Sequence, residues 1–336
     1  MSQTIQLNVA GAESAFQQGL ELTQQGNYAD AIAYFEQAIQ LNPTDAILHS
    51  HLGWAAFSLG HYDTAIRSYQ AALALQPNLE TAHHSLGLAL YATQQYEAAI
   101  GYFRTALEGQ PDSEDIWFCQ GYCLYATHRY EGAIQHFNTA LTLQPNYFEA
   151  LVFRGDSLKE LGDWEAALVS YNKALELQED SAELWFRWAN GQKQVGHAQS
   201  ALDGYKKVTS FQPEHWEAWY GQGGSQMKLG DFEGAIASYD HVLTLRPDSY
   251  EAWFNRGVAL KNLNRLEESI ASYDKALELR PNDHRAWNNR GGVMVSLGNL
   301  RGAISCFDKV LKINPSDTKA QQNRAVLVKR LESSQG

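Results

Sequence analysis

The sequence is poor in cysteine, methionine and basic side chains. Its 336 residues include three cysteines (Cys119, Cys123 and Cys306) and three methionines. Three thiols exclude the disulfide framework of a small secreted scaffold. Lys and Arg number 26 against 38 Asp and Glu, a formal charge of −12, which excludes the basic footprint of a nucleic-acid-binding protein. No run approaches the about 18 apolar residues that a membrane span requires, so no membrane insertion is expected. The opening MSQTIQLNVAGAES has neither the basic n-region nor the apolar centre of a secretory signal, and the expectation is a cytoplasmic chain. There is no phosphate-cradling loop, no Gly-x-Ser-x-Gly elbow and no helix with paired histidines beside a base. Accordingly no enzymatic activity, catalytic residue or cofactor is expected. Apolar residues, by contrast, make up 44% of the chain, ample for a core. The acidity is uneven: residues 1–168 hold 5 basic and 18 acidic residues, residues 169–336 hold 21 and 20.

Proline is scarce, and its placement is regular. The eight prolines, Pro43, Pro77, Pro111, Pro145, Pro213, Pro247, Pro281 and Pro315, stand 34 residues apart, except for one gap of 68 whose missing beat falls on Glu179. Such a period marks a tandem repeat. With proline at position 32, nine repeats start at residues 12, 46, 80, 114, 148, 182, 216, 250 and 284. Position 8 is then Gly in eight repeats and Ala189 in the sixth. Position 20 is Ala in eight and Ser269 in the eighth, and position 24 is aromatic in all nine, from Phe35 to Phe307.

Within one repeat, Trp253, Gly257, Leu260 and Leu263 recur at helical spacing, and so do Leu266, Ser269, Ile270, Tyr273, Ala276 and Leu277. The pattern predicts two amphipathic helices, A and B. Six repeats place Gly at position 15, suited to a left-handed turn between them. Small residues at positions 8 and 20 let the two backbones approach. Proline at 32 ends helix B, and Asp or Ser at position 34 caps the next helix A in most repeats. A single hairpin cannot bury both of its apolar faces, so the repeats must stack into an all-α solenoid. Residues 1–11 read as a frayed lead-in, 12–317 as the nine repeats, 318–331 as a C-terminal capping helix and 332–336 as a disordered tail.

The 34-residue period with its W/L–G–Y–A–F–A–P columns resembles the tetratricopeptide repeat (TPR) family over residues 12–317. Repeats such as AWFNRGVALKNLNRLEESIASYDKALELRPND are similar to those of long bacterial arrays, cyanobacterial ones among them. The resemblance implies a right-handed superhelix whose A helices line a concave groove. It also implies a non-catalytic scaffold or assembly factor whose groove binds protein partners as extended peptides or single helices.

The resemblance further implies that positions 2, 5, 6, 9, 12 and 13 line the groove. In the first half these columns give Phe16, Trp54, Phe57, Tyr91, Phe118, Tyr122 and Tyr125. Such rings either pack neighbouring A helices together or form an apolar binding strip, aromatics being the usual interface anchors. In the second half they give Lys159, Phe186, Arg187, Asn190, Lys193, Tyr220, Phe254, Asn255, Lys261 and Asn289. These are either a solvated face paired with the acidic column Glu149, Glu183, Glu217 and Glu251, or a strip whose amides hold a peptide backbone while its cations bind carboxylates. Chaperone-binding members of the family hold a C-terminal carboxylate with Lys at position 5 and Asn at 9, followed by Asn at 6 of the next repeat. Here no repeat has Lys at position 5; beside Asn190 stand Phe186 and, in the next repeat, Gly221. Chaperone C-terminal tails are therefore disfavoured as partners.

Two other functions are open to this sequence. His49, His51, His83, His84 and Cys119 fall on the A helices of repeats two to four, which suggests metal handling, although their spacing matches no zinc motif. A solenoid with exposed ends can also self-assemble. Arg154, Arg256 and Arg290 at position 7 read as structural, their stems packed and their heads at water. The junction of repeats five and six, with Glu179 for proline, Ala189 for glycine and Ala198 for the position-17 aromatic, reads as a softer joint.

Overall fold

A computed structural model describes residues 2–333, with side chains from residue 10 onward. The described residues form nineteen α-helices and no strand. The chain divides into two compact units between Leu177 and Gln178, two residues from the missing proline. The first unit holds α1 (Ser2–Gln24), α2 (Tyr28–Leu41), α3 (Ala46–Ser58), α4 (Tyr62–Leu75), α5 (Glu80–Ala92), α6 (Tyr96–Gly109), α7 (Glu114–Ala126), α8 (Tyr130–Leu143), α9 (Phe148–Glu160) and α10 (Trp164–Leu177). The second holds α11 (Ala182–Gln194), α12 (Ala198–Phe211), α13 (Trp216–Leu229), α14 (Phe232–Leu245), α15 (Tyr250–Asn262), α16 (Leu266–Leu279), α17 (His284–Ser296), α18 (Leu300–Ile313) and α19 (Thr318–Ser333). Within each unit every helix packs on the next, and odd-numbered neighbours such as α5 and α7, or α11 and α13, also touch. The odd-numbered A helices thus form the tighter face of each stack.

Local chemistry fixes the hairpins. Position 15 has positive φ in all nine repeats: Gly26, Gly60, Gly162, Gly196, Gly230 and Gly298, but also Gln94, His128 and Asn264. The three side chains accept a left-handed conformation that glycine adopts without penalty. Helix A starts are capped by Asp45, Ser113, Ser181, Ser249, Asp283 and Asp317. A further clamp recurs at position 4. Trp117, Trp185, Trp219, Trp253 and Trp287 donate an indole N–H to the carbonyl of residue 32 of the preceding repeat, at 2.8–3.0 Å. Gln321 does the same from α19, and His49 and His83 place Nε2 against the carbonyls of Pro43 and Pro77. The clamp satisfies a carbonyl that proline's helix break would leave unpaired.

The core runs through each stack along positions 20 and 24. Ala31, Ala65, Ala99 and their equivalents have no exposure, and Phe35, Phe103, Phe137, Tyr171 and Tyr273 are fully buried. Each position-24 ring lies on the position-8 glycine of its own repeat: a Cβ on Gly87 would come within 2.7 Å of Phe103, and one on Gly155 within 2.5 Å of Tyr171. Repeat six solves this differently. Ala189 replaces the glycine, and the space moves to Gly204, whose Cβ would meet that of Ala189 at 2.8 Å, and to Gly221, whose Cβ would run into the Tyr205 ring.

At the ends the structure differs from the expectation. The lead-in expected over residues 1–11 is helical from Ser2, as the first turns of α1. No proline interrupts residues 2–24, and extending an existing helix costs little. At the other end α19 continues through Glu332 to Ser333, whose Oγ donates to the carbonyls of Lys329 and Arg330. Of the expected tail, residues 334–336 lie outside the described residues.

Candidate functional site

Several polar side chains of the A helices are occupied by structural work. The position-7 arginines each bridge position 25 of the preceding repeat and position 23 of their own. Arg256 Nε donates to Asp240 (2.6 Å) and Nη1 to Ser272 (2.7 Å); Arg290 bonds Asp274 (2.6 Å) and Cys306 (3.1 Å). Arg154 joins Ser170 and Asn138 in the same register, and Arg324 pairs with Asp308.

The histidines of repeats two to four are likewise placed by packing. His51 lies among Phe16 and Phe35, ring centroids 5.1 and 5.8 Å away, and burial lowers its pKa. His84 rests near Phe103, lowered by burial against an opposing pull from Asp115. Burial pushes the Cys119 thiol up to about 12, with Asp115 adding to it, and burial beside Cys119 does the same for Cys123. Protonated thiols are poor nucleophiles and poor ligands. Among the described residues, no three His, Cys, Asp or Glu side chains are grouped to hold a metal ion.

In the first unit the aromatic columns of repeats three to five form a connected network. Tyr122 stands 5.2 Å from Tyr91, 6.0 Å from Tyr96 and 4.8 Å from Phe153; Tyr125 reaches Tyr130 and Phe153. Phe118 is 9% exposed and lies on Phe137, Tyr147 and Phe153. It is a packing residue. Tyr91, Tyr122 and Tyr125 are half-buried, Phe57 leans on Tyr62, and Trp54, 41% exposed, stands edge-on to Tyr28. Phe153, at position 6, is the hub of the network. The sequence reading passed over it, although position 6 is one of the columns it used.

The second unit offers a cavity. A space of about 310 Å³, open to solvent on one side, is lined by Phe186, Asn190, Lys193, Tyr205, Trp216, Glu217, Tyr220, Gly221, Ser249 and Glu251. A smaller space of about 160 Å³ adjoins it through Lys193 and Tyr220, and brings in Gly224, Lys228, Tyr239 and Asn255. Here α13 carries glycine at positions 6 and 9, Gly221 lining the larger space and Gly224 the smaller, where α11 has Arg187 and Asn190. Gly221 admits Tyr205, while a Cβ on Gly224 would meet nothing within 4 Å. Tyr205 donates its hydroxyl proton to Asn190 Oδ1 (2.7 Å), and Asn255 Nδ2 donates to the Tyr220 hydroxyl (2.9 Å).

The structure therefore gathers Phe186, Asn190, Lys193, Tyr220 and Asn255 into one place and leaves the other expected residues apart. Lys159 pairs with Glu160 at 2.8 Å, and Arg187 with Glu183 at 2.6 Å. Phe254 is held between Tyr250 and Tyr273 with Arg285 over its face. Lys261 is exposed on α15, and Asn289 lies on α17 away from the cavity lining. Gly221 and Gly224, which line the two spaces, were not among the expected site residues.

The architecture is that of a helical-hairpin repeat protein with a lined face on its A helices. The tetratricopeptide repeat profile matches residues 16–80, 84–148, 186–249, 223–284 and 260–318, and a second TPR profile matches 155–196. The chain belongs to the tetratricopeptide repeat family and is, in that general sense, a protein-interaction scaffold. No curated protein gives a significant sequence match. Solved structures are similar in fold. The C-terminal part of a TPR repeat-containing protein from Cytophaga hutchinsonii is 18% identical with a TM-score of 0.59, covering 70% of this chain and 97% of that one. A tetratricopeptide repeat protein from Parabacteroides merdae is 20% identical, TM-score 0.50, covering 74% and 98%. YrrB, described as a TPR protein with an unusual peptide-binding site, is 23% identical, TM-score 0.51, covering 56% and 97%. Among the described residues no helix is long and apolar enough to cross a membrane.

Proposed function

We propose that this protein is a non-catalytic scaffold that holds an extended segment of a protein partner on the A-helix face of its second unit. One observation carries the reading: the cavity beside α13 is walled by aromatic rings and ringed by polar groups that the fold leaves available. Phe186, Trp216 and Tyr220 supply apolar contact of the kind that dominates interfaces. Among the described residues Lys193 and Lys228, which line the two spaces, form no ion pair. The size, about 310 Å³, suits a few side chains better than a helix laid flat. The first unit supports a lesser role in binding, since its rings are largely spent on one another.

The test is affinity capture from the source cells with the full chain as bait, comparing wild type with two double variants. Lys193→Ala with Lys228→Ala is expected to lose a partner that wild type retains, while Tyr91→Ala with Tyr125→Ala retains it. Loss only in the tyrosine variant, at unchanged melting temperature, would move the site to the first unit.

A further inference from the structure

We propose that the glycine notch of α13 receives an acidic side chain of the partner segment, with the segment's backbone held between Asn190 and Asn255. This rests on the scaffold reading above and names the chemistry its site selects.

Space comes first. Gly221 has a packing reason to be glycine, because Tyr205 occupies the place of its side chain. Gly224 has none: a Cβ there would meet nothing within 4 Å. A glycine in the middle of a helix is less favourable than alanine, and here it borders an opening that Lys193 and Lys228 also line.

Charge comes second. Of the two acidic residues lining the larger cavity, Glu251 has a cation beside it and Glu217 has the His215 ring, whose Nδ1 accepts the Ala218 N–H; the smaller space beside Gly224 has no acidic residue in its lining. Glu251 bonds Arg280 at 2.7 Å, and Glu217 lies 3.2 Å from His215 Nδ1. Arg246 stacks over Trp216 at 4.7 Å. The ammonium groups of Lys193 and Lys228, exposed at the rim, have no carboxylate partner among the described residues. The notch is therefore biased towards an anion, and the strongest bond it offers is a charge-assisted one.

The amides come third. Asn190 accepts from Tyr205 through Oδ1, which leaves its Nδ2 to donate to a peptide carbonyl. Asn255 donates to Tyr220 through Nδ2, which leaves its Oδ1 to accept from a peptide N–H. One donor at the larger space and one acceptor at the adjoining smaller one match the alternation of an extended backbone.

Fluorescence anisotropy with the full chain tests this. The probe is an eight-residue peptide of alternating Leu and Glu, acetylated and amidated so that no terminal carboxylate is present; the control replaces Glu with Gln. The Glu peptide is expected to bind about tenfold or more tightly than the Gln peptide, the difference that one charge-assisted bond supplies, and to weaken with added salt. Lys193→Gln with Lys228→Gln should erase the difference between the two peptides. Gly224→Leu should block both, with a melting temperature at or above that of wild type. Equal affinity for the two peptides, no binding of the Glu peptide, or its displacement by inorganic phosphate at equal molarity would overturn the proposal. If both peptides bind equally and Gly224→Leu blocks both, segment binding stands and only the acidic preference falls. If Gly224→Leu leaves partner capture intact, the scaffold reading at this face falls too.

Discussion

The two units are built from the same hairpin and use its inner columns in opposite ways. In the first, positions 9 and 12 hold Trp54, Phe57, Tyr91, Tyr122 and Tyr125, and the rings satisfy one another through Phe153 and the position-17 tyrosines. In the second, the same columns hold Asn190, Lys193, Gly224 and Lys261, and the inner face keeps polar groups and space. The contacts between repeats diverge as well. The second unit ties its later repeats with Arg–Asp bridges at 256–240, 290–274 and 324–308, where repeats two and three of the first unit bury Leu52 and Leu86. The repeat core sets the backbone, and the columns outside it are free to become either cement or a binding surface.

The largest expected break in this comparison is Phe118→Ala. Truncating a buried ring costs about 3–5 kcal/mol, and urea unfolding of the full chain should show that loss, with amide exchange rising in α7 and α9. An unchanged midpoint would return Phe118 to the accessible surface.

A smaller effect separates two glycines on one helix. Gly221→Ala drives a methyl into the Tyr205 ring and is expected to cost about 1–3 kcal/mol. Gly224→Ala meets open space and should be neutral or stabilising by up to about 1 kcal/mol. Equal melting temperatures for the two variants would contradict the exchange of glycines around Ala189.

The smallest effect is a difference in acid sensitivity. Burial lowers the pKa of His51, His84 and His136, all in the first unit. Unfolded, they take up protons near pH 6.5; folded, they resist. Stability of the first unit is therefore intact above about pH 6.5 and falls as the pH drops through that value towards the lowered folded pKa. In the second unit Asp283 is carried down to about 2: burial opposes the shift, but Arg285, Tyr250 and two backbone N–H groups outweigh it. Its contribution is complete above the unfolded value of about 4 and fades only as the pH falls towards 2. Amide protection relative to the intrinsic exchange rate at each pH, followed from about pH 7.5 to 5, should fall in α2–α8 before it does in α13–α18; a parallel fall would refute this.

Much of the fold was legible because each repeat restates the same constraints. Proline spacing located the helix B ends, and the glycine and aromatic columns located the hairpin contact. What was not legible depends on three-dimensional closure. Gln94, His128 and Asn264 adopt the left-handed turn without being glycine, since the two flanking helices dictate their φ. The tryptophan column was visible as helical spacing, but its hydrogen bond to the residue-32 carbonyl requires the folded turn. At the site, column reading named Phe186, Asn190, Lys193, Tyr220 and Asn255. It missed Gly221 and Gly224, because a glycine brings no chemical group to notice. It also could not distinguish Phe118, buried among rings, from the half-exposed Tyr125 in the same strip.

The central claim is that binding resides on the A-helix face of the second unit, around α13. Hydrogen–deuterium exchange of the full chain, alone and saturated with its captured partner, addresses it directly. The account predicts new protection concentrated in α11, α13 and α15, with α12 and α14 unchanged. Protection confined to the B helices, or to the first unit, would contradict it.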